Sequence, residues 1–141
     1  MTRADRSVRL GLAGAVALLG MLPAFAAASP RDSIEVWSAM EGVAPSELVD
    51  DIRAMPLSAT AVDDQPYCAS DTEISTTLSQ DFGERPIETA GAQGTELWGS
   101  DIMGTWTLVA PRSDETSCII ASGVGYSEDL AVGDFFRIAG L

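Results

Sequence analysis

Cys68 and Cys118 are the only thiols in a chain of 141 residues, and they bracket its most regular stretch. In an oxidising compartment they have no partner within the molecule except each other. Pairing would close a loop of about 51 residues and stabilise the fold by at most about 4 kcal/mol on a chain-entropy argument. Everything between the two cysteines must therefore fold so that its ends meet. The C-x-x-C spacing of a redox-active pair is absent, so a structural disulfide is the expectation.

The compartment is read from the N-terminus. Arg3, Arg6 and Arg9 precede an uncharged stretch from Leu10 to Ala28 that closes in small residues. Ala24-Phe25-Ala26 supplies an A-x-A cleavage pattern, and Ala26-Ala27-Ala28 supplies a second one. Residues 1–28 are expected to be a secretory signal peptide cut after Ala26 or Ala28, with a periplasmic or secreted destination. A retained anchor is the competing reading. Gly11, Gly14, Gly20 and the alanine-rich end make the stretch weakly hydrophobic, so no stable membrane anchor is expected after processing.

Charge narrows the chemistry further. The chain carries 8 Arg, no Lys, no His and 21 acidic residues, for a net charge of −13. Removing the leader takes three Arg and Asp5, leaving 5 Arg against 20 acids. Without His, Ser-His-Asp, Cys-His and His-ligated zinc sites cannot be built from this chain alone. The negative charge opposes phosphate backbones and anionic lipid headgroups, so neither nucleic acid nor a membrane surface is an expected partner. Asp50-Asp51, Asp63-Asp64 and Glu128-Asp129 lack the D-x-D-x-D-G spacing of a calcium loop. Gly123, Gly125 and Gly133 belong to no phosphate-binding loop. No metal, cofactor or catalytic residue is assigned.

Between the cysteines, Ser70-Asp71-Thr72-Glu73 fits a capping box. Ile74, Leu78 and Phe82 recur at i, i+4 and i+8, and Gly83 stands where a left-handed cap belongs. The spacing predicts a helix over 71–82. Asp71 and Glu73 complement its N-terminus. After Pro86, short β-branched and aromatic segments alternate with Gly-containing turns, predicting strands at 86–90, 95–99, 105–110 and 117–122. Short connections favour an antiparallel meander. Trp106 and Leu108 share one face, as do Cys118 and Ile120. A helix on that face would carry Cys68 towards Cys118. The expected fold is α+β, with one helix packed on a three- or four-stranded antiparallel meander.

This disulfide-stapled domain is placed at 67–126. Residues 29–66 read as an N-terminal extension, partly helical or linker. Pro45-Ser46-Glu47 opens a short helix with Leu48, Ile52 and Met55 on one face before Pro56, Ile34 and Trp37 form a turn or strand, and 57–65 reads as a linker. Residues 127–141 form an apolar tail whose Phe135, Phe136, Ile138 and Leu141 either pack on the domain or dock a partner.

Cys68, Phe82-Gly83-Glu84, Glu96-Leu97-Trp98, Gly104-Thr105-Trp106-Thr107 and Cys118-Ile119-Ile120-Ala121-Ser122-Gly123 together resemble a group of small exported bacterial proteins of unknown function. That group has a signal peptide, a Cys-initiated helix and a Gly-x-Trp-Thr strand before a second Cys. The resemblance covers residues 68 to 126. It implies an exported single-disulfide module and carries no activity or catalytic residue with it. This chain departs from the pattern in its long segment before Cys68 and its tail after Tyr126.

Non-catalytic recognition in the bacterial cell envelope, with an envelope protein as partner, is the functional expectation. Trp106 alternates with a Thr-rich face and is assigned to the core. Trp98, flanked on its own face by Glu96 and Ser100, is the recognition candidate, with Phe135 and Phe136 of the tail. The alternative is a small hydrolase of envelope glycans using two of Glu84, Glu88 and Glu96.

Overall fold

The elements run β1 (Glu35–Ser38), α1 (Pro45–Ala54), β2 (Cys68–Ser70), α2 (Asp71–Asp81), β3 (Arg85–Glu88), β4 (Glu96–Ser100), β5 (Thr105–Pro111), β6 (Thr116–Val124) and α3 (Val132–Ile138), with a 3-10 turn at Ala92–Gly94. They come from a computed structural model that describes residues 33–55 and 66–141. The signal peptide expected over 1–28 and the linker expected over 57–65 lie outside the described residues.

All pairings in the sheet are antiparallel. Strands β3, β4, β5 and β6 form the expected meander. The free side of β6 is then shared end to end, with β1 pairing residues 121–124 and β2 pairing residues 116–118. The sheet thus has six strands rather than three or four. The additional strands are short. β2 has three residues and runs directly into a helix, so no alternating pattern can develop within it.

Cys68 and Cys118 face each other directly across the β2–β6 pair, with Cα atoms 4.0 Å apart, and are joined by the disulfide. The Ile119 N–H donates to the Tyr67 carbonyl at 2.9 Å, which makes the cysteines a non-hydrogen-bonded pair, the closely spaced kind. A strand pairing brings the thiols together, not a helix laid across the face.

The expectation of a single helix is also corrected. Three α-helices flank the sheet, and they cover both of its faces. On one face α1 contributes Leu48, Val49 and Ile52, and α3 contributes Phe135 and Phe136. These pack with Leu97, Trp106, Leu108, Cys118 and Ile120 into the main core. On the other face Ile74 and Leu78 of α2 pack with Ala69, Trp98, Val109 and Ile119. The helix predicted over 71–82 therefore lies opposite Trp106 and Leu108. Phe135 sits against Trp106 with ring centroids 5.4 Å apart, edge to face, a favoured aromatic geometry. The 127–141 segment and the 34–55 segment thus both close the same core as the strands.

Local signals explain the helix ends. Pro45 occupies the first turn of α1, and the Glu47 carboxylate accepts from the Ala44 N–H at 3.3 Å. At α2 only half of the capping box forms. Ser70 Oγ accepts from the Glu73 N–H at 3.2 Å, whereas the Glu73 carboxylate accepts from the Tyr67 hydroxyl at 2.6 Å. Asp71 accepts from the Ser117 hydroxyl at 2.5 Å, tying the start of α2 to β6. Gly83 takes φ +62°, and the chain turns so that the Glu84 N–H reaches the Leu78 carbonyl at 2.9 Å.

Glycine at 123 is a packing requirement. A Cβ there would lie 1.9 Å from the Glu35 carbonyl oxygen and 2.7 Å from the Trp106 ring, so backbone and core block it together. Gly123→Ala is expected to cost about 2 kcal/mol or more through overpacking and loss of β1. Urea unfolding monitored by tryptophan fluorescence checks this. The Cys68→Ala/Cys118→Ala double variant, measured the same way, is expected to lose about 2–4 kcal/mol.

Candidate functional site

Side-chain alternation puts Thr105, Thr107 and Val109 of β5, Ser122 and Val124 of β6, and Trp37 of β1 on the α2 face of the sheet. Trp37 pairs with Ser122, Ser122 with Thr107 and Thr107 with Trp98, so small polar side chains separate two indoles along one transverse row. Helix α2 covers the Trp98 end through Ile74 and Leu78. Beyond its last turn the row is uncovered, and a cavity of about 250 Å³ opens there.

Trp37, Phe82, Leu78, Ile119 and Val124 make the walls of this cavity, and Thr105, Thr107, Ser122 and Glu84 supply its polar groups. Glu84 reaches it because Gly83 reverses the chain at the end of α2 and sends the next side chain under the helix. The Glu84 side chain belongs to a residue only 2% exposed. Burial pushes its carboxyl above the usual carboxylate range, while the neighbouring Thr107 and Thr105 hydroxyls pull the other way by favouring the charged form. Thr105 is close without an aligned bond. Its Oγ1 and Glu84 Oε2 are both buried and have no hydrogen-bond partner among the described residues. Buried polar atoms are nearly always satisfied, so two orphans at one cavity mark a site of interest.

The cavity mouth is apolar. Trp37 is 51% exposed, Phe82 46% and Val124 37%. Ile102 and Met103, in the β4–β5 turn, are 96% and 60% exposed. A Cβ on Gly83 would stand 4.0 Å from Met103 Cγ, which places that turn beside the end of α2. Three of the large exposed apolar side chains, Trp37, Phe82 and Val124, thus line one opening with Met103 beside it, whereas exposed Tyr67 lies apart, bonded to Glu73 at the start of α2.

Trp98 is 8% exposed and lies beneath α2, its indole N–H donating to the Glu96 carboxylate at 3.2 Å. It borders a second cavity of about 310 Å³ at the N-terminal end of α2, with Glu96, Asp71 and Ser117. Asp71 and Ser117 are already bonded to each other there. Phe135 and Phe136 are buried in the main core and present no surface to a partner. Glu84 and Glu96 open onto different cavities, and the Glu88 carboxylate accepts from the Ala90 N–H at 3.0 Å. The three carboxylates are not brought to one cleft. Cys68 and Cys118 are buried in the disulfide on the opposite face. Among the described residues no group of three or more acidic or cysteine side chains is arranged to hold a metal ion.

Sequence reasoning placed Phe82 on a packed stripe with Ile74 and Leu78, but it is half exposed, because the helix has passed its covered stretch. Trp37 carried no functional signal beyond a short strand. The visible clue was the Thr-rich face opposite Trp106, which a fully covered sheet would fill with larger side chains. Comparison of the chain with protein-family models, curated proteins and solved structures gives no match, so the site is read from its own geometry.

Linkage gives a test of Glu84. A carboxyl whose folded pKa lies above its unfolded value keeps its proton longer when folded. Its full contribution is present below the unfolded pKa and is lost as pH rises through the folded pKa. Glu84→Gln removes that loss. The variant is expected to gain stability relative to the parent as pH is raised from about 4 to about 8, measured by urea unfolding at each pH. Parallel stability curves would show that the carboxyl is not desolvated.

Proposed function

We propose that this chain is an exported, non-catalytic recognition module of the bacterial cell envelope that binds a protein partner over the Trp37–Phe82–Met103 surface. The observation that carries the reading is the coincidence of exposed apolar side chains with a cavity whose buried polar atoms Glu84 Oε2 and Thr105 Oγ1 have no partner among the described residues. Interfaces of this kind have an apolar centre with a pocket that accepts an anchoring side chain. Aromatic anchors such as Trp37 and Phe82 are the residue types that dominate binding energy.

Export is supported by the disulfide, which persists in oxidising compartments, and by the leader read from residues 1–28. Among the described residues no helix is long and apolar enough to cross a membrane. The negative charge directs partner choice towards cationic surfaces.

A glycan hydrolase needs two carboxylates held across one substrate position, about 5–10 Å apart. Among the carboxylates only Glu84 lines the Trp37 cavity, whereas Glu96 is bonded to Trp98 in the other one and the Glu88 carboxylate accepts from the Ala90 N–H. The recognition reading is therefore preferred.

Crosslinking capture from cell-envelope extract tests it, with the oxidised protein compared with Trp37→Ala and Phe82→Ser. The expected result is one protein species captured by the parent and reduced about tenfold or more in both variants, as for loss of an interface anchor. Capture unchanged in both variants, or turnover of envelope glycan by the parent, would overturn the reading.

A further inference from the structure

The recognition surface has a charge requirement that follows from counting cations. The chain has no Lys and no His. Each arginine among the described residues is already held by an acid other than Glu84. Arg53 pairs with Asp50 at 3.7 Å, Arg85 with Glu128, Arg112 with Asp114 at 3.7 Å, and Arg137 with Asp134. Among the described residues, Glu84 Oε2 and Thr105 Oγ1 beside it are buried without a hydrogen-bond partner. An ionised carboxylate only accepts, and the single proton of the Thr105 hydroxyl leaves most of the acceptor sites on the two groups unfilled, so the pair has room for a further donor and gains most from one that is charged.

We infer that the Trp37–Phe82 cavity is a socket for a single basic side chain, lysine or arginine, carried by the protein partner. The inference rests on the recognition reading above and names the partner's anchor. The aliphatic stem of such a side chain lies along apolar walls while its head reaches a polar end, which matches Leu78, Ile119 and Val124 leading to Glu84 and Thr105. Trp37 and Phe82 at the mouth add aromatic faces that attract a cation. A volume of about 250 Å³ accommodates one such side chain and no folded element. The acidic character of the whole chain favours approach of a basic partner and opposes an acidic one.

NMR titration of the isotopically labelled, oxidised protein with three blocked amino acids decides the matter: N-acetyl-lysine methylamide, N-acetyl-arginine methylamide, and N-acetyl-norleucine methylamide as the uncharged counterpart. At least one basic probe is expected to shift the amides of Trp37, Phe82 to Glu84 and Thr105 to Thr107, and to bind about tenfold or more tightly than norleucine, the usual worth of a charge-assisted bond. Glu84→Gln is expected to abolish that preference, and Thr105→Val, which removes one acceptor at nearly constant volume, to reduce it. The Thr105→Val variant keeps the test valid if Glu84→Gln perturbs the fold. Equal binding of norleucine, shifts confined to other acidic surfaces, or a preference unaffected by both variants would overturn the inference. Partner capture that still depends on Trp37 and Phe82 while the probes show no charge preference would sink the basic-anchor inference alone. Capture independent of those residues would remove the recognition reading beneath it.

Discussion

The pairing of β2 with β6 at Cys68 and Cys118 is the constraint from which the site follows. Ser70 is both the last residue of β2 and the N-cap of α2, so the position of a three-residue strand dictates where the helix begins. The Asp71–Ser117 bond and the Glu73–Tyr67 bond hold that start on both sides. From this origin α2 has eleven residues with which to cross the sheet, about three turns. It covers Trp98, Val109 and Ile119 and ends before it covers Thr105, Thr107 and Ser122.

What the helix leaves open is then shaped by two side-chain choices. Threonine and serine on the uncovered part of the face keep the cavity from filling, and the left-handed turn at Gly83 delivers Glu84 into it. A buried carboxyl without a counterion opposes folding, either through desolvation of the charge or through the proton it must hold. The rest of the fold outweighs that cost with a two-sided core. Leu97, Trp106, Leu108 and Ile120 are fully buried on one face, and Ile74 and Leu78 nearly so on the other. Such a cost at an opening lined with exposed aromatics is the feature on which the proposed recognition role rests.

Much of the order between the cysteines was legible because each signal was local. Ser70, the Ile74–Leu78 spacing and Gly83 located α2 to within a residue, the Gly-containing turns separated β3, β4 and β5, and the polar run after Pro111 separated β5 from β6. Which face α2 covers was not legible from alternation, since alternation says which residues share a face and not what lies over it. A clue stood in the continuous apolar runs Leu108-Val109-Ala110 and Cys118-Ile119-Ile120-Ala121, the mark of strands buried on both sides. β2 was too short for a periodic signal. Trp98 and Phe82 exchanged their expected exposures for the same reason, because the reach of α2 over the sheet is a tertiary fact that neither residue's neighbours encode. Glu84 could be named as a carboxylate of interest from sequence, but its isolation from Glu96 depends on the helix lying between their cavities.

In the proposed recognition role, partner contact is made on the α2 face at the end of the helix. Site-specific photo-crosslinking in cells tests it most directly, with the reactive group placed at Met103 on the rim or at Asp50 on the exposed side of α1, on the opposite face of the sheet. One crosslinked protein species is expected from position 103 and none from position 50. A species obtained from position 50 and not from position 103 would contradict it.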